Sequence, residues 1–217
     1  MKTILEYISV NIKPSIIKAT DETIKDIVKD EIERLGDDAN LNHIDVSKVT
    51  DFSYCFFNRR HFNGDISKWD VSKMKNCSFM FSAGVFNCDL GEWNVSNCEC
   101  FDSMFNENIK FEGHGLDKWN IKKAKSADYM FHKCKAFTGE SIIDWKIPNS
   151  LKSVKCMFKY CENLHCNLSN WNLSNISIKS KSEIFDYASK MIPEYYPKGI
   201  NPNLVKAEFK PFHTVSE

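Results

Sequence analysis

Neither sign of charge is in excess in this sequence of 217 residues, since Lys+Arg and Asp+Glu both count 29. A protein that holds a nucleic-acid duplex carries a basic stripe or a positive surplus, and a duplex mimic carries the opposite one. The balance speaks against nucleic acid and against an anionic membrane surface as partners. Long apolar runs are missing too, and none approaches the roughly eighteen residues of a membrane span. The opening MKTILEYISVNIKP is broken by Glu6, Asn11 and Lys13 before it reaches signal-peptide length, and no small-residue cleavage site follows. The expected location is therefore the cytoplasm of the producing or infected cell.

Enzyme signatures are also lacking. There is no H-E-x-x-H, no G-x-S-x-G and no glycine-rich phosphate loop. His43, His61, His114, His132, His165 and His213 fall at unrelated places, with no partner set at ligand or triad spacing. No catalytic activity, cofactor or metal is expected. The nine cysteines are odd in number and lack the spacing of a disulfide framework. They read as small buried hydrophobes in a reducing compartment. Cys98-x-Cys100 has no second spaced pair to complete a zinc site.

What is present is a repeat, marked by Trp69, Trp93, Trp119, Trp145 and Trp171 at spacings of 24, 26, 26 and 26. Ile44 plays the same part in a first copy. A phenylalanine follows each anchor by twelve or thirteen residues, at Phe56, Phe81, Phe105, Phe131 and Phe158. An aliphatic residue follows by two, at Val46, Val71, Val95, Ile121, Ile147 and Leu173. Ile66-x-x-Trp69-x-Val71-x-x-Met74 and its counterparts have the spacing of the leucine-rich-repeat strand. Pairs such as Met80-Phe81 then suggest a helical turn or short helix. Cys134 and Cys161 occupy equivalent places in neighbouring copies and are expected close together.

The expected fold is an α/β repeat solenoid, a leucine-rich-repeat-like stack of about six strand-turn-short-helix coils with an N-terminal capping helix. It divides into a segment with the cap at 1–40, the solenoid at 41–191 and an irregular C-terminal cap or tail at 192–217. The capping helix is placed at 20–36, with Thr20 or Asp21 as N-cap, Gly36 as terminator, and Ile24, Ile27, Val28, Ile32 and Leu35 on its buried face. A second short helix at 182–191 would bury Ile184, Phe185, Ala188 and Met191.

The string FNGDISKWDVSKMKNCSFMF from Phe62 closely resembles the bacterial surface-protein, or BspA-like, repeat of about 26 residues. The matching positions are Phe62, Asn63, Asp65, Ile66, Ser67, Trp69, Asp70, Val71, Ser72, Met80 and Phe81, and the resemblance covers about residues 41–176. It implies a leucine-rich-repeat-type solenoid that binds proteins. The cap followed by LNHIDVSKVTDFS looks like stand-alone members in gut bacteria and their phages.

The resulting expectation is a non-catalytic, monomeric module that presents an extended strand face to another protein. The binding residues would be Asp70, Asn94, Asn120, Lys146 and Asn172, flanked by a second column with Lys68, Glu92 and Lys118. A phage or mobile-element factor that inhibits a host protein is the second expectation, and adhesin-type ligand binding the third.

Overall fold

The computed structural model describes residues 15–206. Expectations for 1–14 and for the tail beyond Lys206, including Phe209, Pro211, Phe212 and His213, lie outside the described residues. Within them there is one α-helix, α1 (Ile24–Leu35), and one parallel pair of two-residue strands, β1 (Ile17–Lys18) and β2 (Ile44–Asp45). Five three-residue 3-10 turns complete the regular structure of the described residues.

This overturns the expected α/β leucine-rich-repeat-like solenoid of strand-turn-short-helix coils. No strand runs from each tryptophan to its aliphatic partner, and no helix follows it. The repeating segments are turns. The amide of Trp69 bonds to the Ile66 carbonyl and that of Met74 to the Val71 carbonyl, at 3.1 and 2.9 Å. Each turn is preceded by a side chain that accepts from its backbone: Asp65 Oδ1 from the Ser67 amide at 2.9 Å, Asp70 Oδ1 from the Ser72 amide at 3.0 Å. Asp-Ile-Ser-Lys-Trp and Asp-Val-Ser-Lys-Met are thus two successive Asx-initiated turns. Their apolar residues have the same spacing as a strand motif, which is why the periodicity pointed elsewhere.

A row of tighter turns comes next. Twelve described non-glycine residues have left-handed backbones, in pairs four apart: Tyr54 and Asn58, Phe79 and Ala83, Ser103 and Glu107, Tyr129 and Lys133, Cys156 and Tyr160, Glu183 and Tyr187. A helix cannot pass through such positions. The helix expected at 182–191 is therefore also corrected. Ile184, Phe185, Ala188 and Met191 are buried, but Glu183 and Tyr187 hold the backbone in turns.

Each row is joined to the next by four amides that donate forward, while amides just before them, such as Lys75 and Asn76 to the Thr50 carbonyl, donate back. Phe79 and Phe81 donate to Asp102 and Met104 at 2.9 and 2.8 Å, and Cys77 and Ala83 to Cys100 and Asn106. The same four-bond register links the rows starting near Phe52, Phe101, Ala127 and Val154 to their successors. A left-handed L-residue costs about 1–2 kcal/mol, and the bonds that it aims between rows offset that cost. Inside, Phe56, Phe81, Phe105, Phe131, Phe158 and Phe185 form a continuous column of stacked rings with centroids 5.2–5.8 Å apart. Every tryptophan reaches back across a row boundary. The indole N–H of Trp93 donates to Ile66 O at 3.1 Å, that of Trp119 to Leu90 O at 3.0 Å and that of Trp145 to Leu116 O at 2.7 Å.

Helix α1 covers the N-terminal end, with Ile24, Val28 and Ile32 buried. Its N-cap is Thr23 and not Thr20 or Asp21. Asp21 instead accepts from the Thr50 and Asp51 amides at 2.6 and 3.0 Å and so fastens the cap to the first copy. Leu35 is exposed, and Glu31 takes a buried place. Glu31 is bonded to Arg34 and, at 2.7 Å, to His43. The Arg34 bond holds the Glu31 carboxyl below its usual range against the opposing effect of burial, with His43 assisting.

Two substitutions test this architecture. Trp119→Phe removes the indole bond to the Leu90 carbonyl, which keeps only its bond from the Trp93 amide, and leaves the second ring's space unfilled; it should cost about 1–3 kcal/mol in urea unfolding. Ala83→Gly relieves a left-handed backbone at the loss of one methyl, and should raise stability by up to about 1 kcal/mol, whereas Ala83→Val should lower it.

Candidate functional site

The two Asx turns of a copy need an Asp or Asn at their start. Asp65, Asp89 and Asn167 supply it at the first turn and accept from Ser67, Gly91 and Ser169. The copies ending in Trp119 and Trp145 lack it. Gly115 stands in that place in the first and Ser141 in the second, and left-handed Gly115 and Gly139 lead into 3-10 turns, Leu116–Lys118 and Glu140–Ile142. A Cβ on Gly115 would lie 2.2 Å from the Gly91 amide nitrogen, and one on Gly139 would lie 2.4 Å from Cys166 Sγ. Only glycine fits at these contacts.

Where the repeat is broken in this way, a groove of about 750 Å³ opens. Glu112, Asp117 and Glu140 line it with His114, and its walls contain no lysine or arginine. The carboxylate of Glu112 is free to face it for a reason traceable to the row before. Asn63 Oδ1 accepts from the Asn87 amide at 2.7 Å, and Asn87 Oδ1 from the Glu112 amide at 2.9 Å. This asparagine ladder ends at Glu112, whose carboxylate stands 3.2 Å from His114 Nε2. Glu140 stands 3.6 Å from His165 in the same manner, and both pairs are about half exposed or more. The Ser141 hydroxyl in the groove wall is buried and has no hydrogen-bond partner, so no base activates it as a nucleophile. Among the described residues no three His, Cys, Asp or Glu side chains converge on a metal position. What the groove offers is an open acidic trough on a rigid backbone.

The residues singled out from sequence are all exposed: Asp70, Asn94, Asn120, Lys146, Asn172, Lys68, Glu92 and Lys118. They do not form a strand face. Asp70, Asn94, Asn120 and Asn172 accept from the amides two residues on, at 3.0–3.2 Å, and so build the second Asx turn of their copies. Trp119, Trp145 and Trp171 stack at 6.4 and 6.1 Å, so the residues after them, Asn120, Lys146 and Asn172, follow one another along one side. Lys118 closes the 3-10 turn beside Asp117 and is the one member of the set next to the groove. Glu112, His114, Asp117 and Glu140 were missed. The signal was in the sequence: two successive copies in which Gly115 and Ser141 stand where the Asp or Asn of an Asx turn is due.

All nine cysteines are free. Cys134 and Cys161 donate to the carbonyls of Phe105 and Phe131 at 2.9 and 2.8 Å, equivalent bonds one copy apart. Burial pushes both thiols up. Cys77 and Cys98 are the pair with a sulfur–sulfur contact, at 3.5 Å.

The family whose model matches this chain is described as "Mycoplasma protein of unknown function, DUF285", over residues 30–145 and again over 85–195. Searches of curated proteins and of solved structures gave no match. The match corrects the resemblance to BspA-like leucine-rich-repeat proteins: the family found carries a description of neither, and the turn-built backbone is not leucine-rich-repeat structure. The chain belongs to the DUF285 family.

On the side where rows meet, His132 lies half-buried, with Nδ1 2.7 Å from Asn106 Oδ1 and its ring edge-on to Tyr129 and Tyr160. Burial, then the Lys133 ammonium, pushes its pKa from 6.5 down to about 4. The unfolded chain therefore binds the proton first, and this contribution to stability, complete above about pH 6.5, is lost as pH falls toward 4. Wild type should lose more stability than His132→Gln between these two values in paired denaturation curves.

Proposed function

We propose that this member of the family is a non-catalytic binding module for another protein, and that a basic segment of that partner lies in the groove between Glu112 and Glu140. The observation that supports this reading is the groove's composition. Three carboxylates share its walls without a lysine or arginine, at the one place where two successive copies abandon the repeat's own turn chemistry. Such a field draws a cationic segment and orients it before contact. The floor is held by inter-row backbone bonds, so little ordering is left to be done on binding. Lys118 and the exposed column Asn94, Asn120, Lys146 and Asn172 would border the bound segment.

The test is retention of a partner from bacterial lysate on the tagged chain, followed by affinity measurement with the purified partner. Glu112→Lys/Glu140→Lys should weaken the complex at least about tenfold, and added salt should weaken the wild-type complex. Asn94→Arg/Asn120→Arg should have the smaller effect. A partner held equally by the groove variant and by wild type would remove the groove from the reading, and loss in the column variant alone would move the site to the Asx column.

A further inference from the structure

The other end of the stack holds a second surface, and its chemistry is different. In each earlier row the forward-donating amides find carbonyls in the row that follows. Cys156 donates to Ser182 at 3.1 Å and Phe158 to Ile184 at 2.9 Å. Among the described residues the last row has no full successor. Tyr187 donates to Lys206 O at 2.7 Å, but among the described residues the amides of Glu183 and Phe185 donate to no carbonyl. These are the donors of an open edge.

Beside that edge lies a cavity of about 340 Å³, lined by Ile178, Ile184, Ile200 and Leu204 together with Lys181, Glu183 and Lys206. Ile178 and Leu204 are 76 % and 68 % exposed, unusual values for large aliphatic side chains grouped together. Asp186 also lines it and is only 1 % exposed. Its Oδ1 accepts from the Lys206 amide at 3.0 Å. Its Oδ2 has no hydrogen-bond partner: the Lys206 ammonium is 3.8 Å away, beyond bonding distance, on a side chain that is 63 % exposed. A buried carboxyl oxygen in want of a donor, walls apolar over most of their area and two unpaired amides are found together.

We propose that this end binds an extended peptide segment of a partner protein, in which an arginine or lysine is flanked by aliphatic residues. The segment's carbonyls accept from Glu183 and Phe185 and continue the row-to-row pattern by one more member. Its cationic side chain donates to Asp186 Oδ2 in place of the distant Lys206, and its aliphatic residues cover Ile178 and Leu204. Main-chain bonds supply affinity in such edge addition, and the side-chain pocket supplies selectivity. This surface is separate from the groove at Glu112 and Glu140. It shares with the proposed function only the reading of the chain as a protein-binding module.

The test uses the full chain and two synthetic peptides, acetyl-Val-Ile-Arg-Ile-Val-amide and its citrulline counterpart, which keeps the shape and lacks the charge. Wild type should bind the arginine peptide about tenfold more tightly, the worth of one charge-assisted bond to a buried acceptor. Asp186→Asn should bring the two affinities together. Ile178→Glu/Leu204→Glu, both at exposed positions, should weaken binding of either peptide and serves as the decisive variant if Asp186→Asn does not fold. Amide exchange at Glu183 and Phe185 should slow when the arginine peptide is bound. Equal affinities for wild type, an arginine preference retained by Asp186→Asn, or no binding at millimolar peptide would each overturn the proposal. None of these results would bear on the groove, whose test uses other residues and another partner.

Discussion

The hydrogen bond between rows is the constraint from which the rest of this structure follows. A copy of the repeat is too short to satisfy its own backbone and too apolar to stand in water. Alternate amides are spent on i to i−3 turns, and those between them point outward along the stack. They can be satisfied only by a neighbour with the same alternation. The left-handed residues at Tyr54 and Asn58, and their successors in each row, are the local cost of that alternation. The tryptophan indole adds a side-chain bond of the same kind, reaching back over a row boundary to a buried carbonyl. Packing then follows bonding. Rows held in one register bring Phe81 over Phe56 and Phe105 over Phe81 with nearly parallel rings.

The two ends and the groove are departures from that rule, each with its own chemistry. At the N-terminal end α1 replaces a row, and Asp21 and Glu31 carry the polar contacts that a missing copy would have made. At the C-terminal end the chain returns at Lys198 and Lys206 to pair with single residues, leaving the edge between them open. In the middle, Gly115 and Ser141 in place of Asx, with left-handed Gly115 and Gly139 leading in, go with 3-10 turns and the space between them.

The period, the anchors and the identity of the core were legible in the sequence, because burial leaves its mark on every copy. Trp69 through Trp171, Phe56 through Phe158 and Val71 through Leu173 are apolar for the same reason at each occurrence. The backbone that carries them was not legible from that pattern. Two five-residue turns in succession repeat their apolar residues at intervals shared with a leucine-rich strand, so hydrophobic spacing alone does not tell them apart. The polar residues do: Asp65 and Ser67, then Asp70 and Ser72, are the marks of Asx turns. Asp70, Asn94 and Asn120, read as a contact column, each spend one side-chain oxygen on the turn that they start. The left-handed residues were hidden for another reason. Tyr54, Ser103, Glu107 and Cys156 are not residue types that announce a positive φ, and only the demand of the neighbouring row puts them there.

The forward majority among the inter-row bonds has an electrical consequence. In each turn row four linking amides point toward the later copy, against one or two, such as Lys75 and Asn76 to the Thr50 carbonyl, that point back. Peptide dipoles so aligned do not cancel as they do between ordinary strands; they add along the axis, as in an α-helix. The stack is therefore a weak electret, negative where α1 lies and positive where the last row ends. Lys25 and Lys29 line the space between α1 and the first row, and the carboxyl of Asp186 is buried at the opposite pole. These three have the sign that their end of the field favours, and Asp26 and Lys206 the other.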